Sequence, residues 1–252
     1  MSRPRDWPRL GGSPAYVSAA LVAAGVAGAT PVSWVGEDAE GRRYIAELGR
    51  LGVATEGVSV RPGHTPVCLL AYQPDGRCLC FYDPGLAAPI GLDAAQRAQI
   101  VAADALCLTV GPAEATRAAL ACAPAGAQVV WAVKADPRAT PPDLAAALAA
   151  RADIVVHSHG EAGFVAEALA GRPRPIVRIE TRGSAGLTIH AEGGEQSLAA
   201  EALDVADSTG AGDAWLGAFL AAHLAGRAPL GEAARRGVEA ARAMLAARQA
   251  KE

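Results

Sequence analysis

The sequence predicts an α/β domain, a mostly parallel sheet covered by helices on both faces, carrying a small β appendage. Three observations point there. From about Ile90 onward, short apolar runs alternate with alanine-rich helical stretches, the pattern of strands joined by crossover helices. Earlier, Val67–Tyr72 and Cys78–Tyr82 flank Gln73-Pro74-Asp75-Gly76-Arg77. Proline there presets φ and glycine accepts positive φ, so the two runs read as a hairpin. No internal repeat or low-complexity linker divides the 252 residues, a length able to bury one sizeable core. The expected organisation is a single α/β domain over 1–252, with the β appendage drawn from about 58–84 and a further contribution from 1–12.

The elements follow in order. A helix is expected from Pro14 to Ala24 and β-structure between about Val58 and Tyr82. A strand at Ala105–Val110 leads to a helix from about Pro112. Val129–Val133 leads to a helix near Pro141–Ala150, and Asp153–His157 to a helix from about Glu161. Ile176–Glu180 and Leu187–His190 read as further strands, a short strand ends near Asp207, and helices close the chain at about Ala214–Ala225 and Leu230–Gln249. Ligands of an open α/β sheet sit outside the carboxyl ends of its strands, so strand-to-helix junctions carry the most functional weight.

Composition excludes several classes. A net charge of −3 and a pI near 6.0 give no basic surface for nucleic acid or an anionic membrane. The five cysteines lie at irregular spacing without a C-x-x-C pair, against a zinc site or a disulfide framework and for a reduced, cytoplasmic setting. Cys78 and Cys80, two apart in a strand, share a face and read as packing residues. The start lacks the apolar run of a signal peptide, and Ala214–Ala225 is too short to span a bilayer. His157 and His159 could share a strand face, but no third ligand stands at metal spacing.

The junction Asp207-Ser208-Thr209-Gly210-Ala211-Gly212-Asp213 carries the chemistry. Small residues let the backbone approach a ligand, and the first N–H groups of the following helix, with its dipole, make an anion site suited to phosphate. Asp213 sits within that positive end, which is expected to hold it ionised. A carboxylate beside a phosphate cradle suits phosphoryl transfer to an alcohol, accepting the hydroxyl proton while N–H groups neutralise growing charge. An isolated Gly-x-Gly-Asp would more simply be a first-turn acid stabilising its helix; the seven-residue run is far more specific. No G-x-x-x-x-G-K-[ST] segment is present, against a P-loop enzyme.

This run, with Ala214-Trp215-Leu216-Gly217-Ala218-Phe219, resembles the C-terminal signature of the ribokinase-like (PfkB) family. Gly11-Gly12 resembles its N-terminal glycine pair, Val35-Gly36-Glu37-Asp38-Ala39-Glu40-Gly41 its V-G-x-D-x-x-G element, Leu51-Gly52-Val53 its L-G-V, and Thr181-Arg182-Gly183 its T-x-G turn. The resemblance implies a three-layer ribokinase-like sandwich whose β appendage is a lid over the substrate. It implies ATP-dependent phosphorylation of a sugar, polyol or nucleoside hydroxyl with Mg²⁺. Asp213 would be the base, Gly210, Ala211 and Gly212 the anion hole, and Thr181 and Gly183 the nucleotide border. Glu161 would help to organise Mg²⁺ and phosphate; Asp207 and Thr209 lie where some members bind a monovalent cation such as K⁺. Gly11, Gly12 and Tyr16, with Asp213, would meet the substrate, and the lid would supply a homodimer contact.

The resemblance has gaps. Members carry a first strand bearing a substrate-binding aspartate ahead of the glycine pair, whereas only ten residues precede Gly11. Either the start lies downstream of the true one or the substrate is held differently. Tyr16 and Ser158 replace asparagines, and Lys134-Ala135-Asp136-Pro137-Arg138 keeps only the arginine of a D-x-N-x-R element. These departures admit inositols and nucleosides as acceptors. They also motivate a second reading, a catalytically impaired ligand-binding or regulatory protein on the same fold.

Overall fold

The computed structural model describes residues 9–72, 78–172, 176–201, 203, 205 and 207–250. The turn expected at Gln73–Arg77, the side chain of Cys78 and any contribution from 1–8 lie outside the described residues. In chain order the elements are α1 (Ser13–Ala23), β1 (Ser33–Gly36), α2 (Ala39–Arg50), β2 (Val58–Arg61), β3 (Val67–Tyr72), β4 (Cys78–Asp83) and α3 (Ala94–Val101). There follow β5 (Ala105–Leu108), α4 (Ala113–Cys122), β6 (Gln128–Ala132), α5 (Pro142–Arg151), β7 (Ile154–Ser158) and α6 (Ala162–Ala168). The chain then forms β8 (Val177–Thr181), β9 (Leu187–Ala191), β10 (Gly194–Leu198), α7 (Ala211–Leu220) and α8 (Leu230–Gln249).

Six strands form the main sheet in the order β10-β9-β8-β7-β6-β5. β5 through β8 are parallel, and β8-β9-β10 run antiparallel at one edge. The parallel strands read as unbroken apolar runs because helices cover both faces. In β6, Val130 packs with Trp215 and Phe219 of α7, while Val129 and Trp131 on the opposite face pack with Leu144 and Leu148 of α5. α1 and α8 complete the first layer by packing against α7, giving the expected three-layer sandwich.

β1 and β2 form a separate parallel pair. Among the described residues the pair makes no ladder to the main sheet, and Val32 and Trp34 instead pack against the cluster of Ile100, Leu106 and Ala115. The pair is fixed by Gln96 of α3, which is fully buried. Its Nε2 donates to the carbonyls of Ser33 and Gly57, each at 3.0 Å, and its Oε1 accepts from Asp93 N–H in a capping box.

The strand expected to end near Asp207 falls in part outside the described residues, and none is assigned at 203, 205 or 207. β10 escaped notice because, as an exposed edge strand, it carries Glu195, Gln196 and Ser197 instead of an apolar alternation. Cys80 is not a packing residue: it is exposed, and its Sγ lies 2.9 Å from that of Cys68 on the same face of the β3–β4 hairpin. Trp215 packs in the core, stacking on Phe219 at 5.1 Å. No helix among the described residues is long and apolar enough to cross a membrane.

Gln96→Ala removes both side-chain hydrogen bonds to the β1–β2 junction, those to the carbonyls of Ser33 and Gly57, of which Gly57 keeps its bond from Ser33 N–H. It is expected to lower stability by about 2 kcal/mol, read as a lower denaturant midpoint with an unchanged m-value.

Candidate active site

Asp213 occupies the first turn of α7. That helix starts where it does because Gly210 is its N-cap in the left-handed region, φ +83, a conformation open to glycine at little cost. Tyr16 lies against the same residue, its ring 3.7 Å from where a Cβ would stand, and its hydroxyl donates to the Leu10 carbonyl. Ala211 N–H is spent on the Ser208 carbonyl at 3.1 Å, and Ala214 N–H on the Gly210 carbonyl. The N–H groups of Gly212 and Asp213 have no partner among the described residues. They are the donors free for an anion at this helix end.

Asp213 is half-buried. Burial pushes its carboxyl above the ordinary range, partly offset by a hydrogen bond from Ser13 in the first turn of α1. The helix end alone would have driven it down, so burial prevails over the expected effect. Its charge in turn helps burial push the Cys107 thiol of β5 up to about 12. Asp207, six residues earlier, is the opposite case. Burial opposes its charge, yet hydrogen bonds from Thr209 and the Arg9 guanidinium hold its carboxyl down at about 2.

One large cleft is lined by Gly11, Gly12, Ser13, Tyr72, Cys107 and Asp213, with Tyr16, Asp207 and Thr209 along the same wall. The β3–β4 hairpin contributes Cys68, Leu70, Tyr72 and Phe81 to its lining. Tyr72 hydrogen-bonds Thr209 through their hydroxyls, and Cys68, Leu70, Cys80 and Tyr82 share its face of the hairpin. The hairpin is tied at its base by Asp38, which caps α2 through Gly41 N–H at 2.7 Å. The same carboxylate accepts from Thr65 N–H at 2.7 Å and Thr65 Oγ1 at 2.6 Å, while Thr65 Oγ1 accepts from Gly36 N–H. The V-G-x-D-x-x-G element thus acts as the anchor of the hairpin. The Thr65 hydroxyl, with these N–H groups, holds Asp38 at about 2.

Glu161, Thr181 and Gly183 sit beyond the carboxyl ends of β7 and β8, outside the lining of that cleft. Glu161 accepts from Ser158 N–H and Oγ at 2.8 and 2.7 Å and from Ala135 N–H at 3.2 Å. Thr181 Oγ1 donates to the His157 carbonyl, and Gly183, at φ +57, opens a tight turn. His157 is buried, which pushes its imidazole below the ordinary value, while His159 pairs with Glu180 at 2.6 Å. The two histidines therefore face different surroundings. Among the described residues no cluster of three or more His, Cys, Asp or Glu could cage a metal. Lys134, Asp136 and Arg138 line the far side of the cleft. Sequence reasoning missed Arg9, Ser13, Cys107 and Arg248, all brought to the junction from distant segments.

A model of the pfkB family carbohydrate kinases matches residues 4–252. No curated protein sequence matches the chain. Among solved structures, an E. coli protein provisionally named ribokinase II, in complex with ATP and Mg²⁺, is 20% identical. The match covers 94% of this chain and 84% of that one at a TM-score of 0.77. Ribokinase from Thermotoga maritima is 19% identical, covering 92% and 79% at 0.75. The Methanocaldococcus jannaschii nucleoside kinase is 19% identical, covering 96% and 84% at 0.75. The fold is that of ribokinase.

Thr65→Val removes the hydroxyl that holds Asp38. A carboxyl lowered from 3.8 to about 2 on folding contributes stability present above its unfolded value and lost as pH falls through the folded one. The denaturation midpoint of the variant should lie below wild type at neutral pH, the gap narrowing between about pH 4 and pH 2.

Proposed function

The chain belongs to the pfkB family of carbohydrate kinases, and from that premise we propose that it transfers the γ-phosphoryl group of ATP to a hydroxyl of a sugar or nucleoside, with Asp213 as general base. The observation that carries this reading is the half-buried Asp213 carboxylate, raised by burial, beside two unpartnered N–H groups at the start of α7. A base with a raised pKa is a better proton acceptor.

In the proposed reaction the acceptor hydroxyl lies against Asp213 and gives it its proton. The freed oxygen attacks the γ-phosphorus in line, and the bond to the β–γ bridging oxygen breaks with its electron pair leaving on ADP. The Gly210–Gly212 segment, through Gly212 N–H together with that of Asp213, neutralises charge on the transferred oxygens. Ser13 orients the base. Gly11 and Gly12, flat and exposed above the cleft, give the acceptor close backbone approach, with Tyr16 supporting the junction from behind. Thr181 and Gly183 would border the nucleotide. When bound with ATP, Mg²⁺ would neutralise the phosphates, with Glu161 as the carboxylate nearest in role.

The hairpin serves as a lid that excludes competing water. One of its faces exposes Leu69, Leu79 and Phe81 at 49%, 49% and 60%, an apolar strip that suits a homodimer contact. Free thiols among the described residues accord with a reduced, cytoplasmic setting.

Asp213→Asn tests the assignment. Its kcat should fall by about 10²–10⁴, with a sugar and nucleoside panel as acceptors and ADP release as readout. A carboxyl raised on folding favours the native state below its unfolded pKa and loses that contribution as pH rises through the folded one. The asparagine variant should therefore melt no lower than wild type at neutral pH. Turnover equal to wild type in that variant overturns the role of Asp213.

A further inference from the structure

The turn ahead of α7 is held by a cation that belongs to the chain. Arg248 stands in the last turn of α8, and its Nη1 donates to the carbonyls of Asp207 and Thr209 at 2.8 and 2.9 Å. The same nitrogen lies 3.4 Å from Asp207 Oδ2. Two carbonyl oxygens and a carboxylate oxygen thus converge on one guanidinium, whose side chain is only 19% exposed. Arg9 contacts Asp207 Oδ2 from the other side at 2.7 Å, and Oδ1 accepts from Thr209 N–H at 2.8 Å.

Such a convergence of oxygens is electrostatically unfavourable unless positive charge lies among them. Charge-assisted hydrogen bonds to a group that never deprotonates meet that need. The held residues are Asp207 and Thr209, immediately before Gly210 and the free N–H groups of Gly212 and Asp213. Moving the Thr209 carbonyl would rotate the next peptide plane and redirect those donors. Among the described residues, Arg9, Arg248, Asp207 and Asp213 are the charged groups that bear on Tyr16 beside the turn. Two guanidiniums against the one Asp207 carboxylate disfavour a further cation at that spot.

We propose that Arg248 is a tethered cation that keeps the Asp207–Gly210 turn in its anion-binding conformation, so that turnover needs no added monovalent ion. This rests on the kinase reading of the same site. Arg248 is a positioning residue: it acts through the turn, and its hydrogen bonds go to the backbone of Asp207 and Thr209.

The test compares wild type, Arg248→Ala and Arg248→Lys in potassium chloride and in tetramethylammonium chloride at equal ionic strength. Wild-type kcat is expected to be the same in both salts. Arg248→Ala should lose roughly tenfold to hundredfold in kcat, with a smaller change in acceptor KM, and should recover in part with potassium or millimolar guanidinium. Arg248→Lys should fall between. Deuterium exchange across Ser208–Ala214 gives a readout independent of turnover: faster in Arg248→Ala, and slowed again by either cation. Strong potassium stimulation of wild type overturns the proposal. So does an alanine variant matching wild type in kcat and exchange, or one whose defect neither lysine nor either cation relieves. Absence of any wild-type turnover would count against the kinase reading alone, while the exchange comparison would still decide the role of Arg248.

Discussion

The left-handed Gly210 and the turn around it set the geometry on which the rest of the site depends. The chain must reverse direction between Asp207 and Ala211 so that the first N–H groups of α7 open onto the cleft. The turn alone does not fix where α7 points. That is settled by Trp215 and Phe219, which seat the helix on the sheet, and by Gly217. A Cβ at Gly217 would stand 2.4 Å from Ala20 Cβ and 2.8 Å from the Val17 carbonyl, so only glycine lets α1 cross this closely. The close crossing brings the first turns of both helices together, which is why Ser13 reaches Asp213. Core packing and site chemistry are thus two ends of one pair of helices.

Two aspartates six residues apart live in opposite electrostatic regimes, and the difference follows from what surrounds each. Asp207 has two arginines and the Thr209 N–H, and is pinned as an anion at about 2. Asp213 is buried with a single hydroxyl as partner, and its carboxyl rises. Environments that push paired carboxyls apart separate their roles. On the proposed reading one charge shapes the turn while the other moves a proton. Exchanging the surroundings would exchange the roles, although the two residues are chemically the same.

What was legible in the sequence was local. The run Asp207–Asp213 was legible as a helix start because its small residues and acid stand in fixed order over a few positions, and Gly210 does cap α7 with Asp213 in the first turn. The parallel strands declared themselves because burial on both faces leaves only apolar residues. The Asp38–Thr65 anchor was legible as a motif but not as a contact, since its partners are 27 residues apart. Arg9, separated from Asp207 by 198 positions, and Arg248 carried no signal, for an arginine near either end of a chain resembles any solvated charge. β10 stayed hidden because an edge strand facing water has no apolar alternation to read. The upward push on the Asp213 carboxyl was not legible, because burial is a tertiary property that no local pattern reports.

Thr209 joins these parts. Its carbonyl is held by Arg248, its N–H by Asp207, and its hydroxyl by Tyr72 at the end of β3. The β3–β4 hairpin therefore touches the turn ahead of α7 directly, while its base is fixed through Thr65 to the cap of α2. A hairpin fastened at its base and joined at the end of β3 to that turn is coupled to it. On the kinase reading this links two requirements of phosphoryl transfer, exclusion of water over the acceptor and alignment of donors at the phosphate. Both are met when the same hydroxyl pair is made.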